Sequence, residues 1–130
     1  RVIGSNAFEG CSNLTSLTLK EGLEEIGANA FKNCKSLTSV VIPDSVTLID
    51  YSAFTYCSAL ESVVIGSGVK TMGQNPFSGC KKLTSAVFKD PKGWSSGGIL
   101  LSEEVLSDPT TAAVELVKMR LRGWQKSSEA

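Results

Sequence analysis

The sequence contains no histidine among its 130 residues. Histidine is the commonest general base and the commonest transition-metal ligand, so its absence argues against His-dependent triads and against most metal-dependent chemistry. No motif brings a Ser–Lys or Asp pair together as a substitute. We therefore expect a protein that is not an enzyme, with no catalytic, cofactor-binding or metal-binding residues and no cofactor.

The chain also lacks an excess of charge and any long apolar run. Lysine and arginine number 13 together, and so do aspartate and glutamate. This balance removes the usual electrostatic argument for nucleic acid or an anionic membrane as a partner. Because no run of about eighteen apolar residues is present, insertion into a membrane is not expected. A hydrophobic content of 42% is still sufficient for one continuous core.

What the chain does have is an internal repeat. The segment 3–8, Ile-Gly-Ser-Asn-Ala-Phe, returns in related form at 26–31, 49–54 and 72–77, which gives a period of 23 residues. Three residue types keep that period. They are Phe8, Phe31, Phe54 and Phe77; Cys11, Cys34, Cys57 and Cys80; and Leu14, Leu37, Leu60 and Leu83.

Each unit has the pattern of a short strand followed by a turn. After the cysteine, apolar residues come to alternate with polar ones, as in Leu37, Val40 and Ile42, which is the period of a strand with one buried face. The Asn-Ala-Phe-x-x-Cys stretch has room for about one helical or 3₁₀ turn. A unit this small cannot bury its own apolar face, so successive units must stack as a solenoid with phenylalanines, leucines and cysteines aligned inside.

The repeat resembles the BspA-like, or Treponema-type, leucine-rich repeat, whose unit reads approximately Leu-x-x-Val-x-Ile-Pro-x-x-Val-x-x-Ile-Gly-x-x-Ala-Phe-x-x-Cys. Residues 37–57 match it almost position for position, and the resemblance covers residues 3–88. It implies a leucine-rich-repeat solenoid of about four repeats, with short parallel strands and short helical turns. It also implies a secreted or surface-bound bacterial protein linked to adhesion.

The regular pattern ends after residue 88, and residues 89–130 are predicted to cap the repeats of residues 1–88. Residues 89–98 have the composition of a loop, and residues 99–101 are predicted to add a short strand. Asp108 followed by Pro109 is typical of a helix start, and a helix is expected to about Arg122. Its predicted apolar stripe is Val114, Val117, Leu121 and Trp124. Such a helix would hide the last coil from water, and the segment also resembles the C-terminal module that follows these repeats in the family.

The four cysteines leave three interpretations open. Disulfides between neighbouring coils are conceivable, because a strand spacing of about 4.8 Å lies within the Cα separation that a disulfide allows. Zinc ligands usually lie about two to four residues apart within a pair, whereas these cysteines lie 23 residues apart. Buried free thiols are the simplest interpretation, and Cys34 and Cys57 are predicted to be reduced and unreactive.

The candidate binding site consists of strand residues that are predicted to point outward. Between the buried residues lie a serine row and a valine row, namely Ser39, Ser62 and Ser85, and Val41, Val64 and Val87. Solenoid proteins use such extended faces for binding, so these six residues are predicted to contact a protein partner. The preference of β-branched residues for strands is a simpler explanation of the valines.

Two functions are compatible with this pattern. The first is a protein-binding or adhesion module of an extracellular or cell-surface protein, with a host or extracellular-matrix protein as a partner. The second is a structural spacer or terminal fragment of a larger surface protein, with no ligand of its own. A fold does not by itself decide between them.

The first residues suggest that the repeat array is longer than the sequence in hand. Arg1 and Val2 correspond by period to Glu24 and Glu25, so the sequence begins inside a coil. The edge of this first coil would expose unpaired backbone groups beside apolar side chains such as Phe8. Self-association through that N-terminal end, or disorder of the first few residues, is therefore expected.

Overall fold

The structure, a computed structural model, describes residues 1–96, 99–118 and 123–126. Two sheets run along the coil, and two helices lie near its C-terminal end. In chain order the elements are β1 (Val2–Ile3), β2 (Glu25–Ile26), β3 (Ser39–Val41), β4 (Leu48–Ile49), β5 (Ser62–Ile65), β6 (Thr71–Met72), β7 (Ser85–Phe88), β8 (Trp94–Ser96), β9 (Ile99–Leu100), α1 (Glu103–Ser107), α2 (Pro109–Lys118) and β10 (Trp124–Lys126).

Each coil contributes one strand to each side of the solenoid, although the first coil reaches the second sheet only through an isolated bridge. Strands β1, β2, β4 and β6 pair in parallel in that order, and Ile3, Ile26, Ile49 and Met72 face one another across them. Strands β3, β5 and β7 form the second, fully parallel sheet. Every parallel pair joins residues 23 positions apart, as in Ser39 and Ser62. The solenoid predicted from the repeat is confirmed.

Aligned phenylalanines fill the interior between the two sheets. Phe31, Phe54 and Phe77 are fully buried, and neighbouring rings stack with centroids 5.2–5.3 Å apart, Phe8 included. Offset stacking at this distance is favourable for aromatic rings. The predicted placement of phenylalanine inside the coil is thus confirmed, except that Phe8, in the first coil, is 44% exposed.

The segment on both sides of each phenylalanine forms tight turns and not a helical turn. Ala30 N–H donates to the carbonyl of Gly27 at 3.2 Å, which closes one such turn. Asn29 and Asn33 have φ angles of 59° and 64°. Left-handed residues cannot continue a right-handed helix, so the turns replace the short helical turn expected from the sequence.

Antiparallel strands extend the first sheet beyond the last coil. β10 pairs with β6 on one side and with β8 on the other, and β8 pairs with β9. The strand predicted within 99–101 is therefore confirmed. The prediction of a loop over 89–98 is wrong for Trp94–Ser96, because pairing with the distant β10 supplies the hydrogen bonds that local composition does not suggest.

Two helices follow β9 and pack against β7. The predicted start of α2 is confirmed, because the Asp108 carboxylate accepts hydrogen bonds from the N–H groups of Thr110 at 2.9 Å and Thr111 at 3.4 Å. The short α1 was not predicted. Its one buried side chain, Leu106, joins the main core.

The predicted apolar stripe on the last helix is wrong. Val114 is 49% exposed, Val117 is only partly buried, and Trp124 belongs to β10 instead of the helix. The buried side chains of α2 are Ala112, Ala113 and Leu116. Two alanines let the helix lie close to β7, so a different face turns inward. Leu121 and the predicted helix end at Arg122 lie outside the described residues.

Three aromatic residues close the C-terminal end of the core. Phe88 contacts Trp94 edge-on, with centroids 5.8 Å apart, and stacks on Trp124 at 5.7 Å. Both tryptophans are almost completely buried. The predicted packing of Trp124 against the last repeat is therefore confirmed, although a strand presents it.

Lys126 holds this end of the sheet to the chain that leaves β7. Its side chain is only 3% exposed, and its Nζ lies 3.1 Å from Oδ2 of Asp90. The same ammonium group donates to the carbonyl oxygens of Asp90 and Lys92, and it lies 5.4 Å from the ring centroid of Trp94. The hydrogen bond from Lys126 is the main cause that lowers the pKa of the Asp90 carboxyl.

The N-terminal end is an open edge in this structure. β1 is the outermost strand of the first sheet, and the first coil meets the second sheet only through a bridge between Thr18 and Val41. The exposed edge beside Phe8 is as predicted, and self-association through it stays a prediction. None of the helices described is long and apolar enough to cross a membrane.

Candidate functional site

The six residues predicted to bind a partner lie together on the outer face of the second sheet. Strand register places Ser39, Ser62 and Ser85 side by side, and it does the same for Val41, Val64 and Val87. The residues between the two rows face the core and are buried, namely Val40, Val63 and Ala86. This alternation is that of a pleated sheet with one side in the core.

The valine row is the most exposed apolar part of this sheet face. Val41 is 53% exposed and Val87 is 39% exposed, whereas Val64, between them, is half-buried. The bridge to Thr18 continues the row into the first coil. The six predicted residues carry no charge, so the face combines a hydroxyl row with an apolar row.

Charged groups lie at the turns that follow the strands. Asp44 Oδ1 lies 3.4 Å from Nζ of Lys89, and the same carboxylate accepts a hydrogen bond of 2.8 Å from the N–H of Ser67. That backbone hydrogen bond is the main cause that lowers the pKa of Asp44, and Lys89 adds to it. The sheet face therefore has a charged border and an uncharged centre, as protein-binding surfaces commonly do.

The cysteines are free thiols, and three of the four are buried. Each buried thiol donates to the backbone carbonyl of the phenylalanine in the preceding coil, as Cys57 does to Phe31 and Cys80 does to Phe54, both at 3.2 Å. Burial raises the pKa of all three, that of Cys80 to about 12. A protonated thiol is a poor nucleophile, so the arrangement links coils and does not suit catalysis.

A second surface feature was missed by the sequence reasoning. One turn position, which carries Gly10, Asn33, Tyr56 and Gly79 in successive coils, has a left-handed backbone throughout, with φ between 62° and 79°. Glycine and asparagine tolerate that conformation well. For a bulky residue it costs about 1–2 kcal/mol, so Tyr56 is the exception.

Tyr56 forms one wall of a cleft of about 440 Å³. Its side chain is 53% exposed, and its ring lies over the next coil, because a Cβ at Gly79 would come within 2.4 Å of the ring atom Cδ1. Besides Tyr56 and Gly79, the lining residues are Asn33, Lys35, Ser58 and Lys81. A tyrosine at a turn position otherwise occupied by glycine and asparagine is the sequence signal that could have revealed this cleft.

Comparison with known proteins agrees with this architecture. The BspA type leucine rich repeat region is recognised in six copies across residues 1–93. No curated protein matches the chain in sequence. A leucine-rich cell surface protein from Faecalibacterium prausnitzii is 35% identical, with a TM-score of 0.66 over 70% of this chain. A leucine-rich repeat protein from Bacteroides ovatus is 32% identical, with a TM-score of 0.64 over 65% of the chain.

A leucine-rich repeat protein from T. pallidum is 31% identical, with a TM-score of 0.63 over 64% of this chain. The chain spans 22%, 24% and 39% of the lengths of the Bacteroides, Faecalibacterium and T. pallidum proteins, respectively. Its repeat period, its parallel sheets and its aligned phenylalanines and cysteines all lie within the recognised region. The chain belongs to the BspA-type leucine-rich-repeat family.

Proposed function

We propose that this chain is a protein-binding module of a cell-surface or extracellular protein, and that the outer face of β3, β5 and β7 contacts the partner. The observation that carries the proposal is the register of this sheet, which aligns exposed valines beside a row of serine hydroxyls. An uncharged, partly apolar centre with charged groups at its border suits a protein partner. The related protein described as a cell surface protein supports the location.

The surface also has the rigidity that binding requires. Each exposed valine is adjacent to a buried residue of the same strand, and the strands pair with one another along their length. A surface that is already ordered loses little conformational entropy when a partner binds. The alternative, a spacer without a ligand of its own, predicts that the chain binds none of the partners offered to it.

The test is binding of the purified chain to an immobilised panel of extracellular-matrix and host-surface proteins. Replacing Val41 and Val87 together with lysine places two charges in the centre of the face. If each valine contributes about 1 kcal/mol, as interface residues of moderate importance do, affinity should fall at least tenfold. The matched control replaces Leu48 and Gln125 with lysine, because both lie on the outer side of the other sheet and, like Val41 and Val87, stand two strands apart.

The outcomes of this test separate the two functions. Loss of binding in the valine variant alone supports the proposal. Equal loss in both variants would show that added charge, and not this face, is responsible. Absence of binding to every member of the panel would favour the spacer, whereas unchanged binding in the valine variant would show that another face of the chain contacts the partner. Circular dichroism of each variant checks that the fold is intact.

A further inference from the structure

We propose that the cleft beside Tyr56 is a second binding site, specific for an acidic saccharide that carries a carboxylate or sulfate group. The cleft lies over the turns of three successive coils and is separate from the outer face of β3, β5 and β7. Binding in the cleft therefore does not require the proposed protein partner. The charge, the shape and the backbone conformation of the lining residues favour such a ligand.

The charge of the cleft is positive and unbalanced. Lys35 and Lys81 both line it, and its lining, as far as the chain is described, includes no carboxylate. Ion pairs in the described residues involve other charged groups and neither of these two. By period, Ser58 lies between the two lysines, whose backbones are roughly 10 Å apart at two strand spacings. Two cations around a central hydroxyl favour an anionic group.

The neutral lining residues favour a sugar as the carrier of that anion. The Tyr56 ring is half exposed, and the negative face of an aromatic ring attracts the C–H groups on the flat side of a pyranose. The side chains of Asn33 and Ser58 add hydrogen-bond donors and acceptors for ring hydroxyls. A volume of about 440 Å³ lies within the usual range for small ligands.

The backbone at Tyr56 indicates that the ring has a role other than folding. Its φ of 62° is strained for a bulky residue, whereas glycine or asparagine occupies the same position in the other coils. Strained residues of this kind concentrate at functional sites. Gly79 in the following coil leaves the space that the ring occupies. Tyrosine thus destabilises the turn slightly and at the same time forms the wall of the cleft.

The experiment titrates the full chain, labelled with ¹⁵N, with a sulfated disaccharide containing a hexuronic acid and follows amide chemical shifts. Shifts should be confined to the cleft residues and should weaken as salt rises, because the attraction is electrostatic. Cellobiose, a neutral disaccharide, should produce at most a tenth of the effect at equal concentration. Adenosine monophosphate and an acidic peptide are tested in parallel.

Substitutions identify the residues that bind the saccharide. Tyr56→Asn should abolish the shifts and raise the melting temperature, because asparagine tolerates the left-handed backbone. Lys81→Gln should weaken binding about tenfold or more, as loss of one hydrogen bond to a charged group does. The matched controls are Tyr51→Ser and Lys82→Gln, which remove an equally exposed tyrosine and an adjacent lysine outside the cleft.

Several results would overturn the proposal. These are the absence of shifts at high saccharide concentration, equal binding of cellobiose, and tighter binding of the nucleotide or the peptide than of the acidic sugar. Unchanged binding in the Tyr56 variant would equally exclude the cleft. A melting temperature that falls in that variant would show that the tyrosine serves the fold instead.

Discussion

Removal of the ring of Phe54 is the most direct test of how the coils hold together. The side chain is completely buried, and it stacks on Phe31 at 5.2 Å and on Phe77 at 5.3 Å. Phe54→Ala should lower the free energy of unfolding by about 3–5 kcal/mol through lost burial and the cavity left behind. The two lost ring pairs account for about 1–3 kcal/mol of that cost.

Phe8→Ala is the matched control, because it removes the same side chain from the same place in the first coil. Phe8 is 44% exposed and stacks on one ring only. The substitution loses roughly half as much buried area and one ring pair, so the free energy of unfolding should fall by about 1.5–2.5 kcal/mol. No closed cavity forms there, since the site already opens to solvent.

Urea unfolding followed by circular dichroism and by tryptophan fluorescence measures both costs. Trp94 and Trp124 report on the C-terminal end, and circular dichroism reports on the whole coil, so coincident transitions would show that the coils unfold together. If Phe54→Ala does not fold, Phe54→Leu keeps most of the volume and should cost less, about 1.5 kcal/mol. Equal costs for the two alanine variants would refute the reasoning, because burial and stacking would then not decide stability.

Two further predictions concern titrating groups. The three buried thiols should resist labelling at neutral pH and react after denaturation, and rapid labelling of Cys57 in the native protein would contradict this. The stability that their raised pKa contributes should be fully present below pH 9.0 and lost as pH rises further, as alkaline melting curves will show. Because the pKa of Asp90 is lowered, its contribution to stability should be present above pH 3.8 and lost as pH falls through the lowered pKa of the folded state. Acid melting curves should therefore be flatter for Asp90→Asn than for the parent, and identical slopes would exclude the ion pair with Lys126 as a source of stability.

The repeat region follows from the sequence because its information is local and periodic. Residues such as Phe31 and Cys34 recur at one spacing, and stacking is the only arrangement in which so short a unit buries its apolar side chains. The same period aligns Val41 with Val64 and Val87, so the composition of the sheet face could be stated in advance. The helix start at Asp108 could also be predicted from the sequence, since capping depends on a few adjacent residues.

The tertiary structure decided the features that depend on distant partners. Trp124 belongs to a strand because β6 and β8 offer backbone groups on both sides of it, and the local sequence does not predict such pairing. The inward face of α2 was decided by how closely Ala112 and Ala113 approach β7. Tyr56 lines a cleft only because coil stacking brings it over Gly79 and near two lysines. Sequence alone thus determined the repeating unit, whose contacts are with copies of itself, whereas the irregular end and the cleft required the spatial relation of unlike segments.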